Sequence, residues 1–337
     1  MRVLFFGSSH IGGICLEYLF DNDINIIGAF TTINQKHLSI KTKIKKIFKY
    51  PILKAIDKVR NLVFKETPSF YFLEEYHIKN IAKKKKIDLY DVDVLNDIKK
   101  LQDLAPDLII VASFGKLLKP ELLNLPNYGC INLHPSYLPE YRGGCPAYSL
   151  IKNNEEFGGV TVHKMNEKFD EGDIIYQKKI ELKDLNSIQY EIEVANVGKK
   201  LILQAISDIR TMSVNYKKQN SNAKKICYLN SQISCLINWN LDVKDIVAHI
   251  KACYHPNTNG AYSYNFFKKV YVVEASVFSF DQNCSIGTFC KAVDNGLVFQ
   301  ASNGEILISK IFFDGKYYKN KELHNLNIKR LTKWHLF

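Results

Sequence analysis

The stretch Gly129-Cys130-Ile131-Asn132-Leu133-His134-Pro135 decides the fold. It is an apolar run bounded by Asn127 and Pro135, which predicts a short buried strand that ends at the proline. Because side chains at positions i and i+2 of a strand share one face, Asn132 and His134 are expected to point the same way. The strand therefore directs an amide and an imidazole toward one point.

These residue types suit the transfer of an acyl group between two nitrogens. An Asn amide can donate to a developing oxyanion, and a His with an ordinary pKa of roughly 6.5 can accept or release a proton near neutrality. Asp170, in a loop further along the chain, can orient the imidazole or balance its charge. The alternative is structural, because a strand-end His is often only hydrogen-bonded and a loop Asp often only forms a turn. We predict Asn132, His134 and Asp170 as catalytic residues.

The sequence from Val111 to Leu182 resembles the folate-dependent formyltransferase family. That family includes glycinamide ribonucleotide, methionyl-tRNA and amino-sugar formyltransferases, and its Asn-x-His pair and Asp-x-Gly loop fall on Asn132, His134 and Asp170. The resemblance implies 10-formyltetrahydrofolate as the formyl donor, and the reaction requires no metal. It also implies a folate pocket formed by three segments: Lys116-Leu117-Leu118, Ser136-Tyr137-Leu138-Pro139 and Asn166-Glu167-Lys168-Phe169.

Strands alternate with helices in the N-terminal part. Strands are predicted at 3–7, 24–30, 89–92 and 108–113, and the alternation favours a Rossmann-like α/β domain with a doubly wound, mostly parallel sheet. The turn over 8–13, before a helix predicted over 14–20, lacks the Gly-x-Gly-x-x-Gly spacing of a dinucleotide site. We interpret it either as a plain strand-to-helix turn or as an anion site at a helix start.

A second domain is predicted beyond a polar segment. The catalytic domain is assigned to 1–212, and the charged, amide-rich residues 213–228 are the predicted linker. From 229 to 337, short strands separated by Asn-Gly turns predict a small OB-like β-barrel. The word Ile237-Asn238-Trp239-Asn240 resembles the C-terminal domain that methionyl-tRNA formyltransferases share with several sugar formyltransferases.

Composition agrees with a two-domain enzyme of the cytoplasm. The chain has 337 residues and 46% hydrophobic content, which is enough for a substantial core. Its eight cysteines show no Cys-x-x-Cys spacing, so a reducing compartment is expected and a structural zinc site is not. The apolar start is too short for a signal peptide, and no apolar stretch approaches the roughly 20 residues of a membrane span. We therefore expect no stable membrane insertion.

Positive charge is concentrated in one segment. Residues 36–65 contain ten Lys or Arg against the single acid Asp57, a net nine of the formal charge of +12. Apolar residues recur there at helical spacing, which predicts a cationic amphipathic insertion interrupted by Pro51. Three interpretations compete: a contact with tRNA phosphates, a helix on an anionic membrane surface, or a cover over the active site whose lysine heads reach solvent.

The acceptor amine depends on the loop after His134. Methionyl-tRNA formyltransferases typically have Trp-Arg-Gly-Ala-Ala where this chain has Tyr141-Arg142-Gly143-Gly144-Cys145. The sequence of this loop is closer to that of enzymes that formylate a nucleotide-linked amino sugar. We therefore expect such a sugar as the acceptor, with an aminoacyl-tRNA as the alternative. Arg142 is expected to contact a phosphate or to hold the loop by hydrogen bonds.

His163 is a further candidate for the site. The alternating run Val160-Thr161-Val162-His163 predicts a strand, and His163 belongs either to that strand's packing or to the pocket.

Overall fold

The structure is a computed structural model that describes residues 1–31, 68, 71–220, 225, 227–228, 232–265, 268–326 and 328. The predicted basic insertion at 36–65 lies outside the described residues. By their contacts the described residues form two units. The first contains 1–31, 71–150 and the described residues from 155 to 232, and the second contains 68, 151–154 and the described residues from 233 onward. The boundaries predicted at 212 and 228 stay predictions.

The first unit is built on one sheet. Its strands β1 to β7 span Val3–Gly7, Ile26–Thr31, Leu89–Asp91, Leu108–Ala112, Cys130–His134, Phe157–Lys164 and Ile174–Glu181. The helices α1 to α6 span Ser9–Asp21, Ile78–Lys85, Ile98–Asp103, Pro120–Leu123, Pro146–Lys152 and Ser187–Arg210. Short 3-10 turns lie at Tyr71–Tyr76 and Val92–Asn96.

The strand order is β3-β2-β1-β4-β5-β6-β7. The first five strands of this order run parallel, whereas β6 and β7 are antiparallel to their neighbours. The central strands β1, with the sequence VLFFG, and β4, with LIIVA, are buried along their whole length. Such continuous apolar runs are expected of parallel strands that are covered on both faces. The prediction of a Rossmann-like, mostly parallel sheet is confirmed.

Helix α1 begins earlier than its predicted start at residue 14. It follows β1 at Ser9, so that the predicted turn is reduced to Ser8 and the two glycines lie inside the helix. A side chain at Gly13 would approach the carbonyl oxygen of Tyr76 to 1.6 Å, so glycine is required where this helix meets the backbone of the 3-10 turn. The glycines that suggested a loop therefore serve close packing of the helix.

Helix α6 is fixed to the catalytic side of the sheet by one tyrosine. The single hydrogen of the Tyr190 hydroxyl is shared between the carbonyl oxygens of Pro135 (2.9 Å) and Gly159 (2.7 Å), and the hydroxyl oxygen accepts from the Gly159 N–H (3.0 Å). The side chain is fully buried, and burial raises the pKa of the phenol far above its usual range. The hydroxyl thus ties the residue after His134 to the neighbouring strand.

Replacing Tyr190 with phenylalanine is expected to lower the free energy of unfolding by about 1–3 kcal/mol, because it leaves buried backbone groups without a partner. Urea unfolding of the purified variant measures this. Tyr176→Phe is the matched control, since its hydroxyl bonds Asp208 at a more exposed position and should cost less. Equal losses for the two variants would contradict the role assigned to Tyr190.

The second unit is an antiparallel sheet with one helix. Its strands β8 to β13 span Ala261–Asn265, Lys268–Ser279, Phe289–Val293, Gly296–Gln300, Glu305–Phe313 and Lys316–Lys319, and α7 spans Val243–Cys253. The order is β10-β11-β12-β9-β8, with β13 paired to β12. Trp239 is buried and its indole N–H donates to Ser263 Oγ at 3.0 Å. This sheet agrees with the predicted OB-like domain, although β10 and β13 were not predicted. Within the described ranges, no helix has the length and apolarity needed to cross a bilayer.

Candidate active site

Two neighbouring strands and two loops bring the predicted catalytic residues together. Asn132 and His134 lie on β5, and Asn132 is opposite His163 in the antiparallel register with β6. The loop that follows β6 returns to place the Asp170 carboxylate between these side chains. Its Oδ1 lies 3.3 Å from Asn132 Nδ2, 3.5 Å from His134 Nδ1 and 3.6 Å from His163 Nε2. The three predicted residues therefore form one cluster, with His163 as a fourth member.

The hydrogen bonds of His134 assign its protons. Nε2 lies 2.9 Å from the carbonyl oxygen of Tyr141, which can only accept, so Nε2 carries a hydrogen and donates. Nδ1 is then the nitrogen that gains or loses a proton, and it faces the Asp170 carboxylate. His134 is buried, at 4% exposure, and burial lowers its pKa against the opposing pull of Asp170. The imidazole is therefore a neutral base at neutral pH with a carboxylate ready to stabilise its charged form.

Asp170 is ionised in this setting. Burial acts to raise its pKa, but the neighbouring imidazoles of His134 and His163, which favour the ionised carboxylate when they are protonated, and the Gly143 N–H outweigh burial and hold the pKa well below its usual range. The Gly143 N–H donates to Oδ2 at 3.0 Å. Gly143 has a φ of +107°, a conformation that side-chain-bearing residues rarely adopt, so glycine allows the loop to present this amide.

His163 fixes the orientation of the Asn132 amide. Its Nδ1 lies 2.9 Å from the Lys164 carbonyl oxygen and donates to it, so Nε2 accepts a hydrogen bond from Asn132 Nδ2 at 3.2 Å. The same Nδ2 group points at Asp170. The amide hydrogens of Asn132 are therefore directed into the cluster, where an oxyanion would need a donor. The alternation of 160–163 predicted the strand, but only the antiparallel register with β5 assigns His163 to the site.

The predicted folate segments lie in different surroundings. A cavity of about 940 Å³ is lined by Asn166, Glu167 and Lys168, together with Cys130 and Met165. Leu118 is buried in a cluster that also contains Leu123 and Cys130, two residues of the cavity wall. In the same predicted segment Lys116 and Leu117 are exposed, as is Phe169 of the third segment.

The segment Ser136–Pro139 packs against β6 and lies outside the cavity lining. Thr161 Oγ1 donates to the Ser136 carbonyl oxygen at 2.7 Å and accepts from the Leu138 N–H at 3.1 Å. Tyr137 lies over Gly159, and the peptide bond between Leu138 and Pro139 is cis. This segment therefore supports the catalytic cluster from the side of β6.

The loop after His134 is held by residues from the predicted linker. The Tyr141 hydroxyl donates to Glu155 Oε1 at 2.6 Å, and the Lys225 ammonium pairs with the same carboxylate at 2.6 Å. The Tyr141 carbonyl oxygen, which accepts from His134, also accepts from the Cys227 thiol at 3.1 Å. Tyr141 thus has a structural role in placing the partner of His134.

Comparison with known proteins assigns the chain. The profile described as "Formyl transferase" matches residues 65–206, and that described as "Formyl transferase, C-terminal domain" matches 231–325. Methionyl-tRNA formyltransferase of Clostridium acetobutylicum is 32% identical over 248 residues, which covers 72% of this chain and 79% of the relative. The chain belongs to the folate-dependent formyltransferase family. It is accordingly a transferase of formyl groups with 10-formyltetrahydrofolate as co-substrate.

Other similar proteins match nearly the full length of this formyltransferase. Methionyl-tRNA formyltransferase of Thermotoga maritima is 26% identical over 321 residues, covering 94% of this chain and 92% of the relative. Among solved structures, WlaRD, a sugar 3N-formyl transferase, has a TM-score of 0.60 at 16% identity and covers 91% of this chain and 96% of its own. An N-formyltransferase from Helicobacter canadensis has a TM-score of 0.62 at 16% identity, with 91% and 98% covered. These two structures share the fold of the formyltransferase.

Proposed function

We propose that this formyltransferase uses Asn132, His134 and Asp170 to move the formyl group from 10-formyltetrahydrofolate to a primary amine. The observation that carries the proposal is the convergence of the amide and the imidazole on one Asp170 oxygen, at 3.3 and 3.5 Å. An amide donor, a neutral base and a fixed carboxylate are the groups that acyl transfer between nitrogens requires.

Each side chain has a distinct part in the reaction. When the acceptor amine adds to the formyl carbon, Asn132 Nδ2 donates to the oxygen on which negative charge develops. His134 Nδ1 takes the proton that the amine loses, and Asp170 stabilises the resulting imidazolium. His134 then donates this proton to the folate nitrogen that leaves. His163 keeps the Asn132 amide oriented through this sequence.

A cavity beside the loop that carries Asp170 suits the donor. Its volume of about 940 Å³ lies within the range of roughly 300–1,000 Å³ that is typical of small-molecule sites. Cys130 and Met165 supply an apolar wall, and the loop residues Asn166 to Lys168 supply polar groups. Cys130 is two residues before Asn132 on β5, which puts the wall on the strand that carries the amide.

Asp170→Asn is expected to lower kcat and to move the acidic limb of kcat/KM to lower pH. The Asp170 carboxylate raises the pKa of His134 against the larger lowering by burial, so removing its charge lowers that pKa further. A pH–rate profile between about pH 4 and 9 measures the shift. Asp208→Asn on α6 is the matched control and should leave the profile unchanged. A shift toward higher pH in Asp170→Asn would contradict the assigned pairing.

The acceptor that we propose is a nucleotide-linked amino sugar. The support is the loop sequence, in which Tyr141, Gly144 and Cys145 replace the Trp and the two Ala typical of tRNA-specific relatives. A Cβ atom at Gly144 would have no neighbouring atom within 4 Å, so packing does not require glycine there. Because glycine has no side chain, this position leaves room beside the Asp170 cluster. The Tyr141 hydroxyl donates to Glu155 Oε1 at 2.6 Å, which fixes this part of the loop.

Initiator methionyl-tRNA is the second candidate. The observation that favours it is the 32% identity to one relative described as a methionyl-tRNA formyltransferase, of which 79% is covered. The basic residues 36–65 supply positive charge that suits a nucleic acid.

A competition assay decides between the two acceptors. The enzyme is given 10-formyltetrahydrofolate with initiator methionyl-tRNA and a panel of nucleotide-linked amino sugars, and formylated products are quantified together. We expect a sugar to have the larger kcat/KM. Preference for the tRNA, lost on deletion of residues 41–60, would overturn the sugar assignment. Turnover of neither class by wild-type enzyme under saturating donor would overturn both.

A further inference from the structure

Gln219, in the segment predicted as a linker, contacts both loops that complete the catalytic cluster. Its Nε2 donates to the carbonyl oxygens of Asp170 (2.8 Å) and Gly172 (2.7 Å). Its Oε1 accepts from the Arg142 guanidinium through Nε (3.2 Å) and Nη2 (2.7 Å). Since carbonyls only accept and a guanidinium only donates, the amide has one orientation that satisfies all four contacts.

The backbone that Gln219 holds is one that needs support. Asp170 has a φ of +54°, in the left-handed region, which costs an L-residue roughly 1–2 kcal/mol. In this conformation the carbonyl oxygen points at Gln219 while the carboxylate points into the cluster. The hydrogen bond at 2.8 Å therefore fixes the residue from the side opposite to its reactive group.

The second loop is held through the same amide. Arg142 precedes Gly143, whose N–H donates to Asp170 Oδ2 at 3.0 Å. Gln219 thus fixes the Asp170 backbone directly, and through Arg142 it fixes the loop that donates to the Asp170 carboxylate. Arg142 also lies 3.7 Å from Glu171 and contacts the Asn220 carbonyl oxygen at 3.5 Å, which adds to the same attachment.

We propose that Gln219 is a positioning residue for formyl transfer, which acts by holding the Asp170 carboxylate beside His134. The proposal rests on the catalytic roles proposed for Asp170 and His134. Gln219 has no contact with Asn132, His134 or His163 among the hydrogen bonds of the described residues, so its effect passes through Asp170. The titratable groups that interact with Asp170 are His134 on β5, His163 on β6 and the Cys227 thiol, and the charge of Arg142 acts on His134.

The decisive variant is Gln219→Glu. A carboxylate still accepts from Arg142, but it cannot donate to the carbonyl oxygens of Asp170 and Gly172 and repels them instead. We expect kcat to fall about 10- to 100-fold while KM for the donor and the acceptor changes less than about twofold. In Gln219→Ala, which adds no charge, the acidic limb of the pH–rate profile should move in the same direction as in Asp170→Asn, because a displaced Asp170 carboxylate raises the pKa of His134 less.

Gln300→Glu is the matched control. Gln300, in the second unit, is a buried amide whose two Nε2 hydrogens are shared among the carbonyl oxygens of Asp281, Ala301 and Gly304. We expect it to lower the melting temperature but to leave the pH–rate profile of the folded enzyme unchanged. If Gln219→Glu lowers only the melting temperature in the same way, the positioning role is excluded.

A double-mutant cycle separates this inference from the proposed function. In an Asp170→Asn background, Gln219→Ala should add less than about a twofold loss, because the carboxylate that it positions is already altered. Independent, multiplied losses would overturn the positioning role while leaving the catalytic one intact. Full activity of Asp170→Asn itself would instead overturn the proposed function.

Discussion

Replacement of His134 with alanine is expected to lower single-turnover formyl transfer by about 10²- to 10⁴-fold, the contribution typical of a general acid–base residue. Among the three proposed catalytic residues, His134 is the one that can take and return a proton, since Asp170 is held in its ionised form and the Asn132 amide does not titrate. The loss should appear in kcat with both substrates saturating. Because Nδ1 faces Asp170, alanine also leaves that buried carboxylate without its main partner.

The measurement is a quenched-flow single-turnover assay, with circular dichroism to verify folding. His249→Ala is the matched control, because His249 is also buried, at 7% exposure, and lies in the second unit. It should retain the wild-type transfer rate. A His134→Ala enzyme that transferred formyl at the wild-type rate would remove the imidazole from the mechanism.

Asn132→Ala is expected to lower kcat by about 10²- to 10³-fold, the cost of removing one donor to a developing oxyanion. The ground-state effect should be small, since the Asn132 amide contacts His163 and Asp170 before substrate binds. KM values should therefore change little. Asn265→Ala, another nearly buried Asn in the second unit, is the control. A rise in KM of that size with no change in kcat would instead assign Asn132 to substrate binding.

Sequence reasoning predicted the parts of the site that follow from local pattern. The strand that ends at Pro135 places Asn132 and His134 on one face because of the period-two geometry of strands, and the structure brings Asp170 to them. The same reasoning predicted most strands of both units, since each is an apolar or alternating run between turn residues.

The missing parts are long-range contacts of groups without a local signature. His163 meets Asn132 across 31 residues, Gly143 meets Asp170 across 27, and Gln219 meets Asp170 across 49. Two of these three contacts use a backbone amide or carbonyl. Such groups occur along the whole chain, so the sequence does not indicate which of them will make these contacts. We predicted Gln219 to be part of a linker because its segment is polar and lysine-rich. That composition does not show whether the segment packs against the catalytic loops.

The attachment of Gln219, Lys225 and Cys227 to the catalytic loops limits how this chain can diverge. A recombination event that exchanged the C-terminal domain with a crossover before residue 217 would also exchange Gln219, Lys225 and Cys227, which contact Asp170, Glu155 and the Tyr141 carbonyl. A crossover after residue 232 would leave those contacts intact. A crossover beyond that point is therefore expected to preserve the catalytic site, whereas one before residue 217 is expected to disturb it.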